Sequence, residues 1–137
     1  MKREILFRGF CPSENGKQII TLDGEDIRGV WVYGDLIHNI DCVKIREREA
    51  DINRIAKSYV VIPETVGQFT GLTDKNGKKI FEHDRVKYKD GNIAEVIFTE
   101  YGAFVGKTES LSHENIGGVL PEVIGTIFDK EDLEDKI

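Results

Sequence analysis

Apolar and polar residues alternate along most of this chain with a period near two, and Gly, Asn or Asp break the alternation every few residues. That is the pattern of short β-strands joined by tight turns. Residues 5–9 predict a first strand, Asn15-Gly16 a turn, and residues 18–22 a second strand that ends at Asp23-Gly24. Residues 29–37 (GVWVYGDLI) are apolar at both parities, which predicts a central strand covered on both faces, with residues 42–45 beside it. Residues 59–62 predict another strand, stopped by Pro63. Further on, Val86 and Tyr88 share one face while Arg85, Lys87 and Lys89 take the other, and Ala94, Val96 and Phe98 repeat the alternation. Asn76-Gly77 predicts a tight type I′ hairpin turn, because Asn and Gly tolerate the positive φ angles such a turn demands. Asp90-Gly91 and Tyr101-Gly102 predict the next turns, residues 103–106 a strand, 108–121 a longer loop and 122–128 the closing strand. Residues 80–128 thus read as a meander of about five short strands.

Two stretches depart from period two. In residues 47–58, Ile52, Ile55, Ala56 and Tyr59 recur at helical spacing with no Gly or Pro between them. That spacing predicts a short helix, with a charged hairpin or loop insertion as the rival. In the tail, Asp129 is a good N-cap and Phe128 with Leu133 has hydrophobic-staple spacing, which predicts a short C-terminal helical turn. The fold class is therefore mainly β, a β-rich α+β plan. An N-terminal β lobe over residues 1–63 precedes a C-terminal lobe over residues 64–137. Small sheets of this kind curl into barrels to hide their edges. The whole chain, 1–137, is of single-domain size.

Composition narrows the functional classes. Acidic residues number 25 against 19 basic ones, a formal net charge of −6. Such a field repels phosphate backbones, so nucleic acid is not the expected partner. The densest cations, Lys75, Lys78, Lys79, Arg85, Lys87 and Lys89, are most simply solvated turn and strand faces. No apolar run approaches the ~20 residues that span a bilayer. Residues 1–5 carry two basic residues but no apolar region behind them, so an export signal is not expected, and the cytoplasm is the expected location. The two cysteines, Cys11 and Cys42, are accordingly expected reduced and buried. Neither they nor the scattered His38, His83 and His113 have metal-ligand spacing. No metal or cofactor is expected.

Candidate chemistry is sparse. Asp74-Lys75-Asn76-Gly77 resembles the start of a calcium loop, but its Gly is fourth rather than sixth and position twelve is Arg85 rather than Glu. The turn reading wins, with Asp74 as an acceptor for turn amides. Glu82-His83-Asp84 is the most polar cluster, and His83 could serve as a base between two carboxylates. Neighbours in a strand point to opposite faces, so the three converge only if the backbone turns. If it turns, Asp84 is better read as another amide acceptor. Gly117-Gly118 lacks the strand-before, helix-after setting of a phosphate loop. Trp31 and Tyr33, flanked by Val30 and Val32, read as sheet packing.

Four stretches together carry a family resemblance: residues 3–8 (REILFR), 29–37 (GVWVYGDLI), 61–82 (VIPETVGQFTGLTDKNGKKIFE) and 122–128 (EVIGTIF). In that order they closely resemble the YopX family of small bacteriophage and prophage proteins. The motif residues are Pro63, Gly67, Gln68, Gly71, Asp74, Asn76, Gly77 and Asp84. The resemblance implies a phage or prophage origin, a bacterial cytoplasm, and a β fold with an SH3-like C-terminal barrel. It implies no activity and supplies no catalytic residue. The chain departs from the pattern at His83, where the family usually has Gly, and at Gly9-Phe10-Cys11, where it tends to have Ala-Trp-Asp. A Gly at positive φ in the family would leave His83 strained. The expected function is a non-enzymatic accessory protein that binds a protein partner or a second copy of itself. The alternatives are a nucleic-acid-binding small barrel and, behind it, a hydrolase using Glu82, His83 and Asp84.

Overall fold

The computed structural model describes residues 4–48, 56–108, 113–117 and 120–130. It is almost wholly β. The strands are β1 (Phe7–Pro12), β2 (Gln18–Leu22), β3 (Glu25–His38), β4 (Val43–Arg46), β5 (Ser58–Val61), β6 (Gly67–Thr73), β7 (Lys79–Phe81), β8 (Asp84–Lys87), β9 (Ile93–Phe98), β10 (Phe104–Thr108), β11 (His113–Glu114) and β12 (Glu122–Thr126). One 3₁₀ turn, Pro63–Thr65, starts on a proline whose missing N–H costs nothing at that position.

Two compact units emerge. One comprises Arg8–Val66 with Phe128–Ile137, the other Met1–Phe7 with Gly67–Ile127. The boundary crosses the chain three times, rather than once at 63/64. The Phe128 carbonyl accepts the Thr21 N–H at 2.8 Å, which ties the tail to the first unit. The Leu6 carbonyl accepts the Phe69 N–H at 2.8 Å, which ties the start of the chain to the second.

In the first unit the strand order is β5-β4-β3-β1, all antiparallel where the register is defined, with β2 also on β3. A flat sheet would hold β5 about 14 Å from β1, three strand spacings away. Instead, Val61 Cβ of β5 lies 2.9 Å from where a side chain at Gly9 would begin, and Ile62 donates its N–H to Phe10 O at 2.9 Å. The sheet therefore curls on itself. Thr65, fully buried, secures the seam: its Oγ1 accepts the Phe10 N–H (2.9 Å) and donates to Ile62 O (2.6 Å). The core holds Phe10, Ile20 and Phe128, with Trp31 edge-on to Phe10 at 5.3 Å. The buried Arg8 guanidinium sits 4.9 Å above the Trp31 ring.

Several expectations change here. The first strand is residues 7–12 rather than 5–9. β3 runs for 14 residues and does sit between neighbours, yet only Gly29 and Gly34 within it are buried. It is therefore not covered on both faces. Its valines and Trp31 are half-buried, as on one wall of a small curled sheet, and Tyr33 is exposed. Both cysteines are free, as expected, but half-buried rather than buried, and burial pushes the Cys11 thiol up. The helix expected across residues 47–58 falls largely on 49–55, outside the described residues. At its flanks Glu47 N–H bonds Lys57 O (2.9 Å), extending the β4–β5 ladder, and Ser58 is already strand. The expected C-terminal helical turn lies beyond residue 130, also outside the described residues; Asp129 itself bridges to Ile20.

In the second unit five strands order as β11-β10-β9-β8-β12, and β6 and β7 form a hairpin. The residues expected to form only a loop between β10 and β12 include the short strand β11. Among the described residues no ladder joins β11 to β12, so the five strands are described as a sheet rather than as a closed barrel. The core combines Ile80 and Leu72 from the hairpin with Val86, Tyr88, Ala94, Val96, Ile116, Val123 and Phe104. The period-two pattern placed Val86, Tyr88, Ala94 and Val96 on that face. Each fully buried aliphatic among them contributes about 1.5–3 kcal/mol of transfer free energy.

Candidate functional site

The segment joining β6 to β8 is built by backbone constraints. β6 opens at Gly67, where a Cβ would stand 2.5 Å from the Glu82 carbonyl oxygen, so only Gly allows that approach. Gln68 and Glu82 lock the hairpin's far end: Glu82 N–H donates to Gln68 O (2.9 Å), and Glu82 Oε1 accepts the Gln68 N–H (3.4 Å). The register then slips between Phe69 and Thr73, a bulge holding Gly71 at φ 90°.

At the hairpin's tip, Gly77 N–H reaches Asp74 O (3.0 Å) and Asp74 N–H reaches Lys78 O (2.7 Å). Gly77 has φ 84°, but Asn76 does not have positive φ, which rules out the type I′ turn expected from the sequence. The Asp74 side chain takes over instead. Its Oδ1 accepts the amides of Asn76 (2.8 Å) and Lys78 (2.9 Å), an Asx-type turn, and its Oδ2 accepts the Val123 N–H (3.0 Å) at the start of β12. Burial pushes this carboxyl up, but the amides of Val123, Lys78 and Asn76 and the Lys78 charge outweigh it and hold the pKa below the usual value.

Between β7 and β8 the chain does turn. His83 adopts φ 76°, a left-handed conformation a side chain disfavours. Its backbone is clamped there: its N–H donates to Val96 O (2.9 Å) and its carbonyl accepts from Ile127 (3.0 Å). Asp84, buried, accepts the Phe81 N–H at 2.8 Å. Glu82 faces Gln68, Asp84 faces Phe81, and His83 Nδ1 lies 3.7 Å from Glu95 Oε2. The three polar neighbours are therefore directed to three different partners. Trp31, the other aromatic candidate, packs on Phe10 in the first unit. Among the described residues, no three His, Cys, Asp or Glu side chains gather into a metal site.

The cations divide. Lys75 pairs with Glu122 (3.6 Å) and Lys79 with Glu4 (3.6 Å), Lys79 also lying 5.3 Å over the Phe69 ring. Arg85 stands opposite Glu95 in the ladder. Lys75, Lys87 and Lys89 line one cavity of about 470 Å³ together with Tyr88, Leu120 and Glu122. Tyr88 itself points into the core, where a Cβ at Gly106 would touch its hydroxyl at 2.6 Å, and its pKa is pushed up to about 12 by burial and by the charges of Glu114 and Asp90.

Sequence reasoning missed one surface feature. The β9–β10 hairpin ends in aromatics: Phe98 and Phe104 are directly opposed, ring centroids 4.8 Å apart, and Tyr101 sits at the turn. Phe98 is 52% exposed and Tyr101 83%. Phe98 carries the same strand parity as the buried Ala94 and Val96, and the pattern set it on their face without marking it as exposed. Its position past the end of the sheet's packed region exposes it.

A β-rich protein of two compact units, with amide-capped turns, a lysine-lined cavity and an aromatic hairpin tip, is the class these features define. The chain belongs to the YopX protein family, which it matches over residues 13–133. It is also 29% identical over 124 residues to a proteasome-associated ATPase of Mycobacteroides abscessus. That match covers 80% of this chain but only 21% of the ATPase, so the chain spans about a fifth of that relative's length. No helix among the described residues is long and apolar enough to cross a membrane.

Proposed function

We propose that the chain is a non-enzymatic accessory module of phage or prophage origin, acting in a bacterial cytoplasm by docking a protein partner through the β9–β10 tip. The aromatic tip is the observation that carries this reading. Exposed turns ordinarily carry small polar residues, whereas Phe and Tyr are enriched in the desolvated centres of interfaces. Phe98, backed by Phe104, with the exposed Tyr101 at the adjoining turn, offers the kind of aromatic anchor that dominates binding energy. A hydrolase built on Glu82, His83 and Asp84 has less support, because Glu82 bonds Gln68, Asp84 bonds Phe81 and His83 lies near Glu95. A nucleic-acid track along the six cations is likewise weakened by the carboxylates facing Lys75, Lys79 and Arg85.

The test is a Phe98→Ser/Tyr101→Ser double variant. Cross-linked pull-down from host cells should recover a saturating partner with the native chain and lose it at least tenfold with the variant, the scale of losing a ~1.4 kcal/mol anchor. Thermal melting checks that the variant folds, and sedimentation velocity tests whether the partner is a second copy. Undiminished recovery with the variant, or a strict monomer that retains nothing, would sink the reading.

A further inference from the structure

We infer that the cavity between the β6–β7 turn and the end of β8 binds the oligophosphate group of a small ligand. This site is separate from the β9–β10 tip and does not depend on it. Its volume, about 470 Å³, is in the range of small-molecule pockets. Lys87, the last residue of β8, and Lys89, in the turn closed by Gly91 N–H on Tyr88 O (2.9 Å), both line it, while Tyr88 between them packs in the core. Lys75 reaches it from the facing turn, whose position is set by the Asp74–Val123 hydrogen bond and by Lys75 N–H on Pro121 O (3.4 Å).

The lining thus holds three cations against one carboxylate, Glu122, in a chain whose overall charge is −6. Glu122 lies 3.6 Å from Lys75 Nζ and so holds one ammonium in place. Glu122 also stands opposite Lys87 in the β8–β12 ladder, so one carboxylate serves two of the lysines and the lining keeps a net charge of +2. Lysine ammonium groups are mobile point charges suited to phosphate oxygens, and two or three linked phosphates would span cations arriving from two elements. Leu120, 48% exposed, supplies an apolar wall for whatever the phosphates are attached to. A long nucleic-acid backbone fits less well, because the flanking cations Lys79 and Arg85 already face carboxylates.

The experiment is an amide NMR titration of the full chain with inorganic tripolyphosphate, adenosine triphosphate, adenosine and a single-stranded oligonucleotide series. The expected result is saturable shifts confined to residues around Lys75, Lys87–Lys89 and Leu120–Glu122, for both phosphate compounds and not for adenosine. Lys87→Gln/Lys89→Gln should weaken tripolyphosphate binding at least tenfold and flatten its salt dependence. Glu122→Gln should strengthen it, and Lys44→Gln, in the other unit, should leave it unchanged. Three outcomes would overturn the inference: no saturable shift at low salt, equal weakening by Lys44→Gln, or affinity that grows with oligonucleotide length, which would mean a backbone track. Melting curves confirm that each variant folds.

Discussion

At the scale of single residues, Asp74 and His83 act in opposite senses within the β6–β8 segment. Asp74 is 3% exposed and answers three amides from two elements. Asp74→Ala leaves those amides without their acceptor, at a cost of about 3 kcal/mol, measurable by chemical denaturation. The pH dependence follows from the direction of the shift. A carboxyl held below its unfolded value of about 3.9 contributes fully above that pH and loses its contribution as pH falls through the lower folded value. The stability gap between the native chain and Asp74→Asn should therefore narrow as acid is added. His83 is the opposite case. A left-handed conformation costs a side chain about 1–2 kcal/mol, and the 3.7 Å approach of His83 Nδ1 to Glu95 Oε2 is an ion pair only when the imidazole is protonated. His83→Gly should raise the melting temperature by about 2–4 °C. A drop would mean that the side chain's contacts outweigh the strain.

At the scale of elements, the β6–β7 hairpin shows what local pattern can and cannot specify. Gly77, Asp74 and the flanking β-branched and aromatic residues announce a turn between two strands, and there is one. The turn type is different, because a side-chain acceptor at Asp74 satisfies the amides that a type I′ turn would have handled through the backbone. Gly67 is a different kind of constraint. Its reason lies 15 positions away, at the Glu82 carbonyl, and nothing near it in the chain announces that approach. Gly67→Ala forces β6 away from that carbonyl and should cost about 2 kcal/mol in denaturant midpoint stability. No loss would show that the strand moves freely there. Thr65 was hidden for the same reason: its two partners, Phe10 and Ile62, meet only when the first unit's sheet curls. Phe98 shows the limit of parity: it shares the face of Ala94 and Val96, and the sheet's end leaves it in solvent.

At the scale of the whole molecule, net charge and local charge point in different directions. A chain of charge −6 as a whole is a poor partner for polyanions, yet its fold gathers three lysines around one cavity. Average composition bears on non-specific association, whereas a site depends on which residues the fold brings together. By itself the sequence determined the β-rich class, the strand-and-turn rhythm, the inward parity of Val86, Tyr88, Ala94 and Val96, and the family, because period-two alternation and turn chemistry are local properties. Only the tertiary structure decided the rest. It built each unit from segments far apart in the chain, so that residue 69 bonds to residue 6 in one and residue 21 to residue 128 in the other, it put His83 in a left-handed turn, and it sent Lys75 to the cavity of Lys87 and Lys89. Each of these depends on contacts between residues far apart in the chain, whose energies arise only once the strands have paired.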